Sequence, residues 1–414
     1  MPVQVVLFED QFLSDMSPIA LTRPAFQVTC ACWTLAEIAA TVADGVHWIV
    51  RAHLRGATAR RLPPPAWDGG PALFLNASVL PDVRYAGRIR QFAEAGRPFI
   101  CTCGQRVAAA LVPAGALGAD GGPATLAAEE VTPRLLELKL DLLDEECFTT
   151  LDRQYQVIKH LEKLFPGNIA ARLAAGGYRE VRPGVHAAEG VSIADTSVLR
   201  AHDGPIVFEK GVEVMDFTYF SGPVYVGAGT RIIERSSVKE AVSIGERCKI
   251  GGEVEASVIE GYTNKQHHGF LGHSYVGSWV NLGAGTSNSD LKNSYGEVRL
   301  EFHHARVDTG MQFLGAVIGD YAKSAINTSI FTGKVIGVSS MLYGFIGQNV
   351  PSFCNYARSF GQITECPLEQ AVLIQKRMFA RRGVAQGPED VEVLRAAFEL
   401  TRSERLISDE PPSL

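Results

Sequence analysis

The sequence predicts an α/β N-terminal domain with a mainly parallel sheet, followed by a parallel β-helix of hexapeptide repeats. Three observations carry this. A position recurs every six residues from Val226 through Ile232, Val238 and Ile244 to Ile250, and again from Ile318 through Ser324, Ile330 and Ile336 to Leu342. Apart from Ser324, each of these residues is aliphatic, and glycine often follows, as in Val226-Gly227, Ile244-Gly245, Val276-Gly277 and Ile336-Gly337. The first 130 residues or so instead alternate short apolar runs with amphipathic stretches.

A helix repeats at 3.6 residues and a lone strand at 2, so a period of six fits neither. It fits a short flat strand ending in a tight turn, three of which close a triangular coil. The aliphatic points inward and stacks on its equivalent in the next coil. The glycine after it is expected to give the turn its φ freedom. One coil cannot bury its own core, so the coils must stack.

In the first part, strands are expected at 3–8, 46–50, 72–75 and 98–102, with helices at 34–42 and 85–94. Such alternation predicts a sheet covered on both faces. Ligands of such sheets sit beyond the carboxyl ends of the strands, where Asn76-Ala77-Ser78 falls. Residues 132–175 read as an amphipathic helical connector interrupted at Pro166-Gly167. The expected domains are 1–131, a connector at 132–180, the β-helix at 181–352, and a C-terminal helix and tail at 353–414. An excursion from Thr286 to Phe313 breaks the repeat, and long loops in regular arrays are usually functional or disordered.

Composition bounds the partners. The chain has 414 residues, a formal charge of −6 and a pI near 6.0. Neither a nucleic acid nor a membrane is expected as a partner. The N-terminus reads as a strand rather than a signal peptide. The eight cysteines are scattered, with C-x-C rather than C-x-x-C pairs, as expected of reduced buried thiols in a cytoplasmic protein.

The chemistry is expected in 264–295, where His267, His268 and His273 fall within seven residues. Here the chain resembles the bifunctional N-acetylglucosamine-1-phosphate uridyltransferase/glucosamine-1-phosphate acetyltransferase family. The resemblance rests on His267, Phe270, Leu271-Gly272, Val276-Gly277 and the block Val280-Asn281-Leu282-Gly283-Ala284-Gly285-Thr286, and covers roughly 180–350. It implies a left-handed β-helix, a homotrimer, and acetyl-CoA lying along the coils at subunit interfaces. His267 falls on the family's catalytic histidine, a base suited to take a proton from an attacking amine. Asp290 falls where the family has an asparagine near the reacting groups, and Phe270 where it has a tyrosine. Lys265, Lys292 and Asn288 are implied contacts of an amino-sugar phosphate; Ala284, Thr286 and Lys334 are implied contacts of acetyl-CoA. His268 and His273 are alternative bases. Their spacing also matches the ligands of γ-class carbonic anhydrases, but no histidine lies between His202 and His267 to complete a three-histidine zinc site.

The family's N-terminal half transfers a nucleotide to a sugar 1-phosphate and carries a Gly-rich phosphate loop after its first strand. This chain has none there, and no lysine before Lys139. Leu21-Thr22-Arg23-Pro24 instead resembles an alternative, divergent group of nucleotidyltransferase-like domains. In that reading Arg23 clamps phosphate, Asn76 contacts substrate, and Asp10 holds Mg²⁺, with UTP or dTTP as the nucleotide. Arg23 has a second reading as a structural arginine. The expected function is transfer of acetyl from acetyl-CoA to an amino-sugar phosphate. The alternatives are a nucleotidyltransferase whose β-helix serves assembly, and a non-enzymatic sugar-nucleotide-binding protein.

Overall fold

The computed structural model describes residues 4–43, 45–117, 122–143, 147–302 and 305–405. Val3 of the expected first strand and Pro411-Pro412 of the tail lie outside them. Six strands, β1 (Gln4–Phe8), β2 (Val46–Ile49), β3 (Ala72–Asn76), β4 (Phe99–Cys103), β5 (Arg106–Val112) and β6 (Asp141–Leu142), form one sheet ordered β2-β1-β3-β5-β4-β6. Pairings are parallel for β1 with β2 and β3 and for β4 with β6. Strand β5 is antiparallel to both its neighbours, so the sheet is more mixed than expected. The cause is a hairpin at Gly104, whose φ of +57° suits glycine. Strand β5 reads Arg-Val-Ala-Ala-Ala-Leu-Val and is wholly buried. Its alanines favour helix in isolation, which hid a central strand.

Around the sheet pack α1 (Leu35–Ala40), α2 (Arg55–Arg61), α3 (Tyr85–Glu94), α4 (Ala128–Glu137) and α5 (Gln156–Ala174). Thr34 and Glu37 close a capping box on α1. Helix α5 runs through Pro166 instead of stopping there. Proline removes one hydrogen bond and strains the turn, but Val157, Leu161, Leu164, Phe165 and Ile169 bury one side of α5 in the core formed with β1 and β3. Asn168 adds bonds from its amide to Cys30 O and Pro81 O.

The second part is a β-solenoid. Val226 lies opposite Ile244, and Ile232 opposite Ile250, in parallel strands three sixes apart. Val226, Ile232, Val238, Ile244 and Ile250 have no exposed surface, and each contributes about 1.5–3 kcal/mol by burial. The interior position of the next coil is taken by Lys265, opposite Ile250. After the excursion the ladder resumes with Val276 opposite Ile318. Within the excursion, Arg299–Phe302 and Ala305–Asp308 form an antiparallel hairpin.

The glycine after each aliphatic works differently from the expectation. Gly227, Gly245, Gly277 and Gly337 are not among the positive-φ residues. A Cβ on Gly245 would lie 2.5 Å from Gly261 N, and one on Gly337 2.2 Å from Ser352 N. These glycines permit close stacking of coils. Left-handed corner positions come two residues after these glycines, at Gly229, Arg247, Trp279 and Ser339, and further corners are held by Tyr262, Tyr321 and Phe353; the bulky ones, Arg247, Tyr262, Trp279, Tyr321 and Phe353, have φ of 50–66°. A non-glycine residue there is uncommon and strained.

Those corner side chains explain the docking. Trp279, Tyr321 and Phe353 pack with Leu21 and with two C-terminal helices, α6 (Leu368–Arg381) and α7 (Pro388–Leu400). Helix α7 was expected only as charged tail; Pro388 at its first turn and the Asp390 bond to Gly387 N start it. One solenoid face, with Val207, Val258, Tyr275 and Val317, is buried in the same core as α5. The face that carries Phe270–Gly272 leaves its later coils exposed, with Phe331 and Phe345 more than half accessible.

Candidate functional site

The strand Phe270–Gly272 separates two solenoid corners, one at His267–Gly269 and one at His273. At about 3.3 Å per residue, His267 and His273 stand no more than ~20 Å apart along the edge. His267 and His268 are exposed. Directly above them in the next coil is the Ala284-Gly285-Thr286 turn, tied down by Gly285 N donating to His268 O at 3.0 Å.

At the other corner His273 Nδ1 lies 2.9 Å from Asp290 Oδ2, and each side chain is 15% exposed. Phe313 stacks on the imidazole at 5.2 Å between ring centroids, 27° from coplanar. Gly272 makes room: a Cβ there would meet the Asp290 carboxylate and the Phe270 ring. Asp290 is thus partnered with His273, not with His267. Carboxylates also surround this corner. Lys239 Nζ bridges Glu253 and Glu255 at 2.9 and 3.2 Å. Glu240 is pushed above its ordinary pKa by burial and then by Glu255.

Several expected ligand contacts have other uses. Asn288 accepts from Gly272 N and donates to Gly272 O, both at 3.0 Å, clamping two coils together. Thr286 Oγ1 bonds Ser324 Oγ at 2.7 Å. Lys292 Nζ donates to Glu297 O at 3.0 Å. Lys334 is half-buried; burial lowers its pKa, and both Glu301 and Lys292 act on it. Ala284 lies in the turn above the histidines, partly exposed.

Lys265 is turned into the solenoid, not toward a phosphate. Its ammonium donates to Gly251 O and Gly269 O at 2.7 Å and to His267 O at 3.3 Å, cross-bracing the His267 turn. Burial lowers its pKa from 10.5 to about 8. The unfolded chain therefore holds a proton that the folded chain releases between about pH 8 and 10.5. Stability attributable to Lys265 should rise across that window by up to roughly 3 kcal/mol, the penalty being complete below pH 8. Urea unfolding at pH 7 and pH 9.5 should show a smaller rise in Lys265→Met than in wild type; equal rises would contradict this.

In the N-terminal domain, the Asp10 carboxylate is buried beyond the end of β1. It accepts from Phe12 N, Asn76 Nδ2 and Arg106 Nη1 at 2.8–3.0 Å. Asn76 also donates to Val107 O and holds Ser78. Arg106, which the sequence reading missed, neutralises Asp10 and reaches Asp152 at 3.2 Å. Among the described residues no group of three His, Cys, Asp or Glu side chains is arranged to hold a metal. The carboxylate expected to bind Mg²⁺ is already neutralised, so its surroundings do not fit that ion.

Arg23 is buried at the junction of the two parts. Its guanidinium contacts Asp320 at 2.5 Å, Ser278 at 2.8 Å and Glu260 at 3.2 Å. Thr22 Oγ1 adds a 2.6 Å bond to Asp320, and Thr29 bonds Glu260 through N and Oγ1. The segment read as a phosphate clamp is a plug into the solenoid. Burial opposes the charge, but the nearby carboxylates hold the Arg23 pKa well above its ordinary value.

Comparison with known proteins gives a family match in the N-terminal part and similarity to bifunctional relatives. Residues 5–171 match the sugar nucleotidyl transferase family. A bifunctional sugar-1-phosphate nucleotidylyltransferase/acetyltransferase of Sulfurisphaera tokodaii is 34% identical over 142 residues, covering 34% of this chain and 35% of that protein. The bifunctional protein GlmU of Methanococcus vannielii is 29% identical over 124 residues, covering 30% and 27%. The matched segments thus span about a third of these relatives or less. A UDP-N-acetylglucosamine acyltransferase structure from Francisella novicida aligns over 53% of this chain and 78% of its own, with 13% identity and a TM-score of 0.23. No described helix is long and apolar enough to cross a membrane.

Proposed function

We propose that the protein is a cytoplasmic, sugar-nucleotide pathway transferase whose solenoid moves acetyl from acetyl-CoA to the amine of an amino-sugar phosphate. The observation that carries this is the stacking of the Ala284-Gly285-Thr286 turn on the exposed His267-His268 turn, which sets the block shared with acetyltransferases directly against a histidine. His267 takes a proton from the amine as its nitrogen attacks the thioester carbonyl. The tetrahedral intermediate collapses, the C–S bond breaks, and the CoA thiolate leaves and is protonated. Lys265 holds the His267 turn from inside. Ala284 and Lys334 belong to the wall along which acetyl-CoA lies, with buried Thr286 behind it, and Lys292 to the acceptor side, where buried Asn288 only holds the Gly272 backbone in place. Exposed Ile326, Phe331 and Phe345 suit burial between copies, which supports a trimer with its sites at the interfaces. The N-terminal domain binds a nucleotide or sugar nucleotide such as one derived from UTP or dTTP, with no role for Mg²⁺ at Asp10.

A second reading has its own observation. Asp290 fixes Nδ1 of His273 at 2.9 Å, the arrangement that orients a base and leaves Nε2 free. Acidic Glu240 and Glu255 nearby suit an acceptor arriving as an ammonium. Incubation with acetyl-CoA and a panel of amino-sugar 1-phosphates, read by mass spectrometry, tests the function. An N-acetylated product formed catalytically is the expected result. Absence of any acetylated product from folded protein would sink the proposal for that panel.

A further inference from the structure

A cavity of about 960 Å³ lies where the N-terminal domain, the solenoid corner and the C-terminal helices meet, away from both histidine corners. Its size is that of a small-molecule site. Most of the carboxylates that line it are already engaged. Asp320 and Glu260 hold Arg23, Glu37 holds Arg172, Asp390 holds Arg60, and Glu209 accepts from Tyr178 and Tyr225.

The cations around its Tyr262 wall are not matched in this way. Arg61, from α2, lines the cavity and makes no hydrogen bond or ion pair among the described residues. Arg247 lies over the Tyr262 ring at 5.9 Å. Arg382, at the end of α6, is anchored to Asn264 at 2.5 Å and feels Arg381 and Arg247, which help to depress its pKa after burial. Glu246 is the nearby carboxylate. Deeper in the cavity, Arg23 is 7% exposed and its Nε has no partner. Each of the three parts of the chain thus supplies an arginine beside one aromatic wall, and Arg23, which lines the cavity, has an unsatisfied Nε–H. Unpaired buried donors are rare and point to something missing.

We propose that this junction cavity binds a small polyphosphorylated ligand, whose phosphates are held at its Tyr262 edge by Arg61, which lines the cavity, and by Arg247 and Arg382, which flank Tyr262 outside that lining. Such a ligand would bridge the N-terminal domain to the solenoid and tighten their docking. A diphosphate group is shared by nucleotides and by CoA. This proposal does not depend on acetyl transfer, and it survives if the solenoid proves inactive.

The test is calorimetric titration of the full chain with inorganic pyrophosphate, followed by UDP and CoA to separate the two sources. Wild type should bind pyrophosphate, and Arg61→Ala combined with Arg247→Ala should weaken binding about tenfold or more. Glu246→Gln should tighten binding severalfold, because it removes the nearby negative charge; this arm stands even if the arginine variants fold poorly. Pyrophosphate that does not bind wild type, or that binds the double variant and Glu246→Gln with unchanged affinity, would overturn the proposal. Tighter binding of UDP than of CoA assigns the nucleotide, and the reverse order assigns CoA.

Discussion

Replacing Arg23 by alanine should destabilise the protein by about 3–5 kcal/mol, because it strands two buried carboxylates. Asp320 and Glu260 are both buried, and Arg23 is the cation they share. The Coulomb gain of such a network is largely offset by desolvation, so its presence alone says little about net stability. Its removal is another matter, since both carboxylates are buried and would be left without their shared cation. The loss should therefore appear as separation of the N-terminal domain from the solenoid, with two unfolding transitions replacing one. Arg23→Lys should recover only part of the loss. A lysine is a point charge and cannot serve Asp320, Ser278 and Glu260 with the geometry of a guanidinium. Denaturant titration followed by separate probes of each part gives the number. A change below 1 kcal/mol with a single transition would show that the plug is not what joins the two parts.

His267→Ala should reduce turnover of acetyl-CoA by about 10²–10⁴, the usual worth of a positioned general base. His267 is exposed and makes no cap or ion pair among the described residues, so the same variant should leave stability within about 0.5 kcal/mol. His273→Ala and Asp290→Asn have the opposite profile under this reading. They break a partly buried pair stacked on Phe313, costing stability while sparing most of the turnover. If His273 is instead the oriented base, the rates exchange: His273→Ala and Asp290→Asn lose the activity and His267→Ala keeps it.

Much of the solenoid is legible in the sequence because one physical demand repeats. Each coil must present an inward aliphatic, and the six-residue ladder records it at Val226, Ile232, Val238, Ile244 and Ile250. The same ladder misleads where a polar residue takes an inward place. Lys265 stands opposite Ile250 inside the solenoid, and only the three backbone carbonyls around its ammonium make that tolerable. Glycine was legible as a requirement but not as to cause. The neighbouring coil's backbone excludes a Cβ at Gly245, while bulky Arg247 takes the strained corner.

Pairs across coils were harder to see, because a residue meets its partner one coil later and not in its own neighbourhood. His273 and Asp290 are such a pair, and the Val254–Leu271 register just below them gives the same spacing. Counting by coils would have found it. Arg23 was ambiguous for a different reason. Nothing local distinguishes an arginine that binds phosphate from one that plugs a distant solenoid corner, since Asp320 lies almost 300 residues away. Strand β5 and the Arg106–Asp10 pair were lost together, because an alanine-rich run gives no period-2 signal.

The most direct measurement is thiol release from acetyl-CoA with glucosamine 1-phosphate, comparing wild type and His267→Ala, with N-acetylglucosamine 1-phosphate as the acceptor that has no free amine. Release that needs the free amine and falls at least a hundredfold in the variant is the result this account predicts. Release equal with both acceptors, or unchanged in His267→Ala, would contradict acetyl transfer at the His267 corner.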